Sequence, residues 1–139
     1  KPNAFGLIQS AANAVAPGKR PLSSMTPTIL IKGGKATYAC GASGGPRIIT
    51  ATLQNVLNHT VFDMSAPQAV SAPRFHHQWS PDELLLEPSL FRAVSVALQA
   101  KGHDTRQVSA LAATQSAALQ PNGNTGGSDP RKHGQPVGH

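Results

Sequence analysis

The apolar positions change their period along the chain, and each change marks an element. Residues 1–27 carry no sustained period and are punctuated by Gly6, Pro17, Gly18, Pro21 and Pro27, so they read as irregular. The apolar run Thr28-Ile29-Leu30-Ile31 reads as a buried strand. Gly33-Gly34 is a two-residue hairpin turn, because both glycines tolerate positive φ, and Lys35 to Cys40 is the return strand. Pro46 suits a first helical turn, where its missing N–H is no loss. The helix it opens runs to about Asn58, with an apolar stripe at Ile49, Leu53, Val56 and Leu57 that is expected to face the core.

Pro67 to Ser71 reads as a short helix that Pro73 ends. Leu84-Leu85-Leu86 is a short strand. Pro88 opens a helix with Leu90, Phe91, Val94 and Leu98 on one side, and Gly102 closes it. Arg106-Gln107-Val108 and Ala113 to Leu119 read as strands, with a turn at Pro121-Asn122-Gly123-Asn124. The last fifteen residues are polar and Gly-rich and are expected to fray. Helices and strands alternate without any repeat at a period of about 20–50 residues. The early hairpin favours an α+β fold in which helices pack on an antiparallel or mixed sheet.

Composition changes this picture in one respect. The chain has 139 residues, 39% of them apolar, and only 4% aromatic. A core built largely from alanine is thin, and such a chain packs better against a partner than alone. The formal charge of +6 invites a nucleic-acid reading. The distribution opposes it: Lys19-Arg20 and Arg131-Lys132 are the only adjacent basic pairs, and no aromatics interleave with them as a base-stacking surface requires. Cys40 is the only cysteine, so it forms no internal disulfide and reads as a small buried hydrophobe. No run is long enough for a membrane span. Lys1-Pro2-Asn3-Ala4-Phe5 has no leader character, and the opening Lys1-Pro2 reads as the product of a cleavage or as the continuation of preceding residues.

Two segments offer chemistry. In Gly41-Ala42-Ser43-Gly44-Gly45-Pro46-Arg47, a Gly-rich turn joins a strand to a helix N-terminus. Free N–H groups there attract anions, and aimed at a reacting carbonyl they stabilise its oxyanion. Gly44 and Gly45 are the candidate donors, since Pro46 has none to give. Taken alone, the segment reads first as an ordinary strand-to-helix turn. Ser23 and Ser24 lie in a loop stiffened by Pro21 and Pro27 and could donate to a carboxylate, or simply satisfy turn backbone. Arg74-Phe75-His76-His77-Gln78-Trp79 suggests a metal site at first, but no Asp, Glu or Cys at ligand spacing completes a set. Packing and hydrogen bonding are the expected roles there, with no metal and no cofactor. Asp82-Glu83 follows Pro81 and reads as a solvated loop or a helix cap.

In order along the chain, these segments resemble the γ-glutamyltranspeptidase family. Gly18 to Ile29 is similar to the family's Pro-Leu-Ser-Ser-Met region, and Gly44-Gly45-Pro46-Arg47-Ile48-Ile49-Thr50 to its Gly-Gly segment. Ala72 to Trp79 and Ser128-Asp129-Pro130-Arg131 match later landmarks, so the resemblance covers nearly the whole chain. It implies an N-terminal-nucleophile hydrolase with an αββα sandwich, in which a precursor cleaves itself into a large and a small subunit. The new N-terminal Thr of the small subunit attacks γ-glutamyl amides such as glutathione, and the acyl group passes to water, an amino acid or a peptide.

By that resemblance, residues 1–139 are the C-terminal part of the small subunit rather than a complete domain, and inactive alone. Ser23 and Ser24 would hold the substrate α-carboxylate, and Gly44 and Gly45 would form the oxyanion hole. The implied partners are the large subunit and the N-terminal part of the small subunit, in a periplasmic or extracellular enzyme. The nucleophilic Thr, the acidic segment for the substrate α-amine and a large-subunit Arg all fall outside this sequence. Thr26 stands where Ser is common, and Ala42-Ser43 where Ser-Pro is usual. A related acylase acting on glutaryl-cephalosporins is the alternative activity.

Overall fold

The computed structural model describes Asn3 and residues 6–137, so Lys1-Pro2, Ala4-Phe5 and the last two residues lie outside the described part. The hairpin expected at Gly33-Gly34 is present. Strands β1 (Thr28–Lys32) and β2 (Lys35–Ser43) pair antiparallel across it, with the two glycines at φ 57° and 75°. These left-handed values match the twist of the strands, and only glycine adopts both at little cost. β2 continues past Cys40 to Ser43, so Gly41 belongs to the strand and the turn proper begins at Gly44.

Helix α1 (Arg47–Thr60) follows at once, and α2 (Ala66–Ser71) starts from a capping box formed by Ser65 and Gln68. A short strand β3 (Phe75–His76), which the sequence pattern did not reveal, pairs antiparallel with β4 (Leu84–Leu86). α3 (Pro88–Gln99) then carries the chain to β5 (Thr105–Gln107), parallel to β4. β6 (Ala113–Ala118) returns to β2, and β7 (Thr125–Ser128) pairs with β6. The result is a four-stranded antiparallel sheet of order β1-β2-β6-β7 and a three-stranded mixed sheet of order β3-β4-β5.

α1 and α2 pack on one face of the larger sheet. Beneath them lies a core of Tyr38, Cys40, Ala66 and Ala118, with Leu30 and Val56 against it. Burial pushes the Cys40 thiol up, which keeps it protonated and inert. Among the described residues no helix is long and apolar enough to cross a membrane.

Three expectations are corrected. β1 is not buried. It is an edge strand, and Ile29 and Ile31 are 65% and 70% exposed. The stripe on α1 mostly faces away from the core: Ile49, Leu53 and Leu57 are exposed, and the helix instead buries Ile48, Ala51, Thr52 and Asn55. Tyr38 donates to Asn55 Oδ1, and Asn55 donates to Thr114 Oγ1 at 3.0 Å, so polar groups on the inner face are satisfied. Helical spacing identifies an apolar stripe, but it cannot say which neighbour the stripe meets. Finally, the Gly-rich C-terminal stretch is not frayed throughout. Thr125–Ser128 is a strand, and Asp129 is buried.

Candidate active site

The site is built where β2 ends and α1 begins. Gly44 has φ 145° and Gly45 φ 60°. A Cβ at Gly44 would lie 2.7 Å from the Ala112 Cβ and 2.8 Å from its Cα, so conformation and space both require glycine there. Among the described residues no acceptor engages the N–H of Gly44 or Gly45. The Gly45 carbonyl is fully used. It accepts from the Ile48 N–H at 3.1 Å and from the Ser24 hydroxyl at 3.0 Å. That second bond joins the Ser loop to the glycine turn.

The two candidate segments therefore meet. Ser23, Ser24 and Gly45 line one cavity of about 860 Å³, together with Pro46, Thr50 and His76. Gly44 lines a second cavity of about 460 Å³ with Arg47 and Arg106, and the two cavities share Pro46, His76 and Gln78. The two hydroxyls are not equivalent. Ser23 Oγ accepts the Met25 N–H at 3.1 Å and keeps its proton available, whereas Ser24 gives its proton to Gly45.

His76 lines both cavities. It is buried, its Nδ1 lies 2.7 Å from the Thr50 hydroxyl, and its Nε2 lies 3.0 Å from Gln78 Oε1. Burial lowers its pKa, so the neutral ring is favoured, donating from Nε2 and accepting at Nδ1. Gln54 holds β3 in place, accepting the Phe75 N–H at 3.1 Å and donating to the Phe75 carbonyl at 2.8 Å. His77 also lines the first cavity and pairs with Asp82 at 3.0 Å. Trp79 is 74% exposed and lines neither cavity. Glu83 takes two hydrogen bonds from Arg106, at 2.6 and 2.9 Å.

Behind the glycine turn lies a buried ionic cluster whose role the sequence pattern did not reveal. Arg74 pairs with Asp129 at 2.7 Å, and Arg131 bridges Asp129 and Glu87. Each carboxylate also accepts backbone. Glu87 takes the N–H of Arg74 at 2.9 Å and of Leu111 at 2.8 Å, while Asp129 takes that of Thr114 at 2.7 Å. Burial alone would raise the Asp129 pKa. The N–H donors of Thr114 and Arg131 and the charge of Arg74 outweigh it, and the net shift is downward. Two cations and two carboxylates leave the cluster neutral, which is the condition for burying it.

The profile of the Gamma-glutamyltranspeptidase family matches residues 1–139. The chain belongs to the γ-glutamyltranspeptidase family. It is 47% identical over 131 residues to the glutathione hydrolase proenzyme of Escherichia coli, covering 94% of this chain and 23% of that relative. It thus spans about a quarter of the length of that γ-glutamyltranspeptidase relative. The γ-glutamyltranspeptidase of Pseudomonas nitroreducens, solved in complex with L-DON, superposes with a TM-score of 0.91 at 34% identity, covering 100% of this chain and 74% of that one. The T380A mutant of the Helicobacter pylori γ-glutamyltranspeptidase superposes with a TM-score of 0.88 at 39% identity, covering 95% and 74%. The shared architecture is the αββα arrangement of N-terminal-nucleophile hydrolases, and the α+β class with antiparallel and mixed sheets holds.

Proposed function

We propose that this chain supplies the carboxylate grip and the oxyanion hole of an enzyme that hydrolyses γ-glutamyl amides such as glutathione or transfers their γ-glutamyl group. The observation that carries the reading is that Ser23, Ser24 and Gly45 line one cavity and are tied by the Ser24–Gly45 hydrogen bond. A γ-glutamyl group presents a carboxylate at one end and a reacting carbonyl at the other. The Ser23 hydroxyl suits the carboxylate end and the unengaged glycine N–H groups suit the carbonyl end, and Ser24 joins the grip by turning its proton from the Gly45 carbonyl to the carboxylate when substrate binds.

The nucleophile is an N-terminal Thr carried by a part of the small subunit outside residues 1–139, and the large subunit completes the assembly. The Thr Oγ adds to the γ-carbonyl as its proton passes to the α-amine. The carbonyl π electrons move onto oxygen, and the N–H groups of Gly44 and Gly45 stabilise the resulting oxyanion, each contributing about 3 kcal/mol. Collapse re-forms the carbonyl and expels the amine, which takes the proton. Water or an amino group then attacks the acyl-enzyme. Residues 1–139 position and stabilise but do not attack, so the isolated chain is inactive.

The test is a substrate comparison on the complete enzyme containing this chain. Cleavage of γ-glutamyl anilides, with little cleavage of glutaryl anilides that lack the α-amine, is expected. Cleavage of glutaryl amides alone would reverse the assignment in favour of an acylase.

A further inference from the structure

The loop between β5 and β6 lies against the Gly44–Gly45 turn. Ala112 sits at φ 58°, a left-handed value uncommon for a residue with a Cβ. Its neighbours are fixed on both sides. The Leu111 N–H donates to Glu87 and the Leu111 carbonyl accepts from Arg74, while the Thr114 N–H donates to Asp129. The two carboxylates are themselves held by Arg131. This rigid segment presents Ala112 directly against Gly44, where an added Cβ would come within 2.7 Å of the Ala112 methyl.

We propose that Ala112 is a positioning residue for the oxyanion hole. Its methyl and Cα fill the space a side chain on Gly44 would need and so bound the turn on that side, and the Glu87–Asp129 bracket holds them in place. The inference rests on the reading of Gly44 and Gly45 as oxyanion donors. It adds the element that fixes their direction. Ala112 touches no reacting atom and acts only through Gly44. Without the methyl, the turn gains room to rotate and its N–H groups lose their aim, which affects the transition state more than substrate binding.

The test uses the complete enzyme, with hydrolysis of γ-glutamyl-p-nitroanilide referred to sites counted by burst titration. Ala112→Gly removes the methyl but relieves the left-handed backbone, so a purely structural residue would give an equal or higher Tm and an unchanged rate. The expected result is instead an equal or higher Tm with kcat lowered about tenfold and KM within about twofold of wild type. Ala112→Ser keeps the Cβ, so its kcat should stay within about twofold of wild type. A glycine variant with wild-type kcat would overturn the inference, as would glycine and serine variants impaired alike. If the glycine variant gives no burst, Glu87→Gln decides: a lower kcat per site at constant KM supports the inference, and an unchanged kcat overturns it. A wild-type enzyme inactive on γ-glutamyl substrates would overturn the functional reading and this inference with it, an outcome distinct from active enzymes that ignore position 112.

Discussion

At Gly44 the backbone leaves no room for a side chain, and the Ala112 Cα as well as its methyl blocks one. Gly44→Ala must therefore shift the turn, and the loss of one aimed donor predicts a fall in kcat of about 100-fold or more in the complete enzyme. The two serines should separate in kinetics. Ser23 has its proton free, so Ser23→Ala is expected to raise KM about tenfold or more at constant kcat, in line with a hydrogen bond to a charged group. Ser24 also ties the Gly45 carbonyl, so Ser24→Ala should raise KM and lower kcat together. Steady-state assays of the two variants check this, and identical profiles would contradict the distinct roles. His76 gives a pH prediction. Burial lowers its folded pKa, so above the ordinary imidazole value near 6.5 the neutral ring is stable in both states. As the pH falls below about 6.5, the unfolded chain takes up a proton that the folded chain refuses, and stability is lost until the folded pKa is passed. The Tm of the enzyme should fall over that range, with a flatter slope in His76→Gln.

Among the elements, β7 and the residues after it matter more than their polar composition suggests. Asp129 lies between two arginines and takes the Thr114 N–H. Asp129→Ala leaves Arg74 buried beside Arg131 without its carboxylate, so a loss of about 3–5 kcal/mol is expected, seen as a lower urea midpoint. This is where sequence reading was weakest. Gly126-Gly127 looks like flexible loop, and nothing local shows that β6 offers it a free edge or that the carboxylate after it has two cationic partners. The same limit applies to α1, where a correct stripe was given the wrong environment because Asn55 and Thr52 face the sheet in its place. Other features are legible from local chemistry. Gly33-Gly34 specifies its turn through φ alone, and Pro46 after two glycines marks the start of α1. The pairing of Ser24 with Gly45, 21 residues apart, is a tertiary fact that only the order of family motifs anticipated. Ala112 had no sequence signal at all, because a left-handed alanine looks like any other.

For the whole molecule, the exposed apolar positions form surface of the kind that a partner covers. Ile29 and Ile31 on the edge strand and Ile49 and Leu53 on α1 stand open, and a thin alanine-rich core lies beneath. The isolated 139-residue chain is expected to bind a hydrophobic dye, to self-associate on ultracentrifugation, and to show no hydrolysis. A monomeric, dye-silent chain would contradict its reading as one piece of a larger sandwich. The central claim is that two hydroxyls and two glycine N–H groups grip opposite ends of one γ-glutamyl group. The most direct measurement pairs a substrate change with a residue change: kcat/KM for γ-glutamyl-p-nitroanilide and for its analogue lacking the α-carboxylate, each with wild-type enzyme and with Ser23→Ala/Ser24→Ala. If the hydroxyls hold that carboxylate, wild type prefers the full substrate strongly and the double variant loses most of that preference, by about 10–100-fold. If the preference survives intact in the double variant, the carboxylate is held elsewhere and the account of this cavity is wrong.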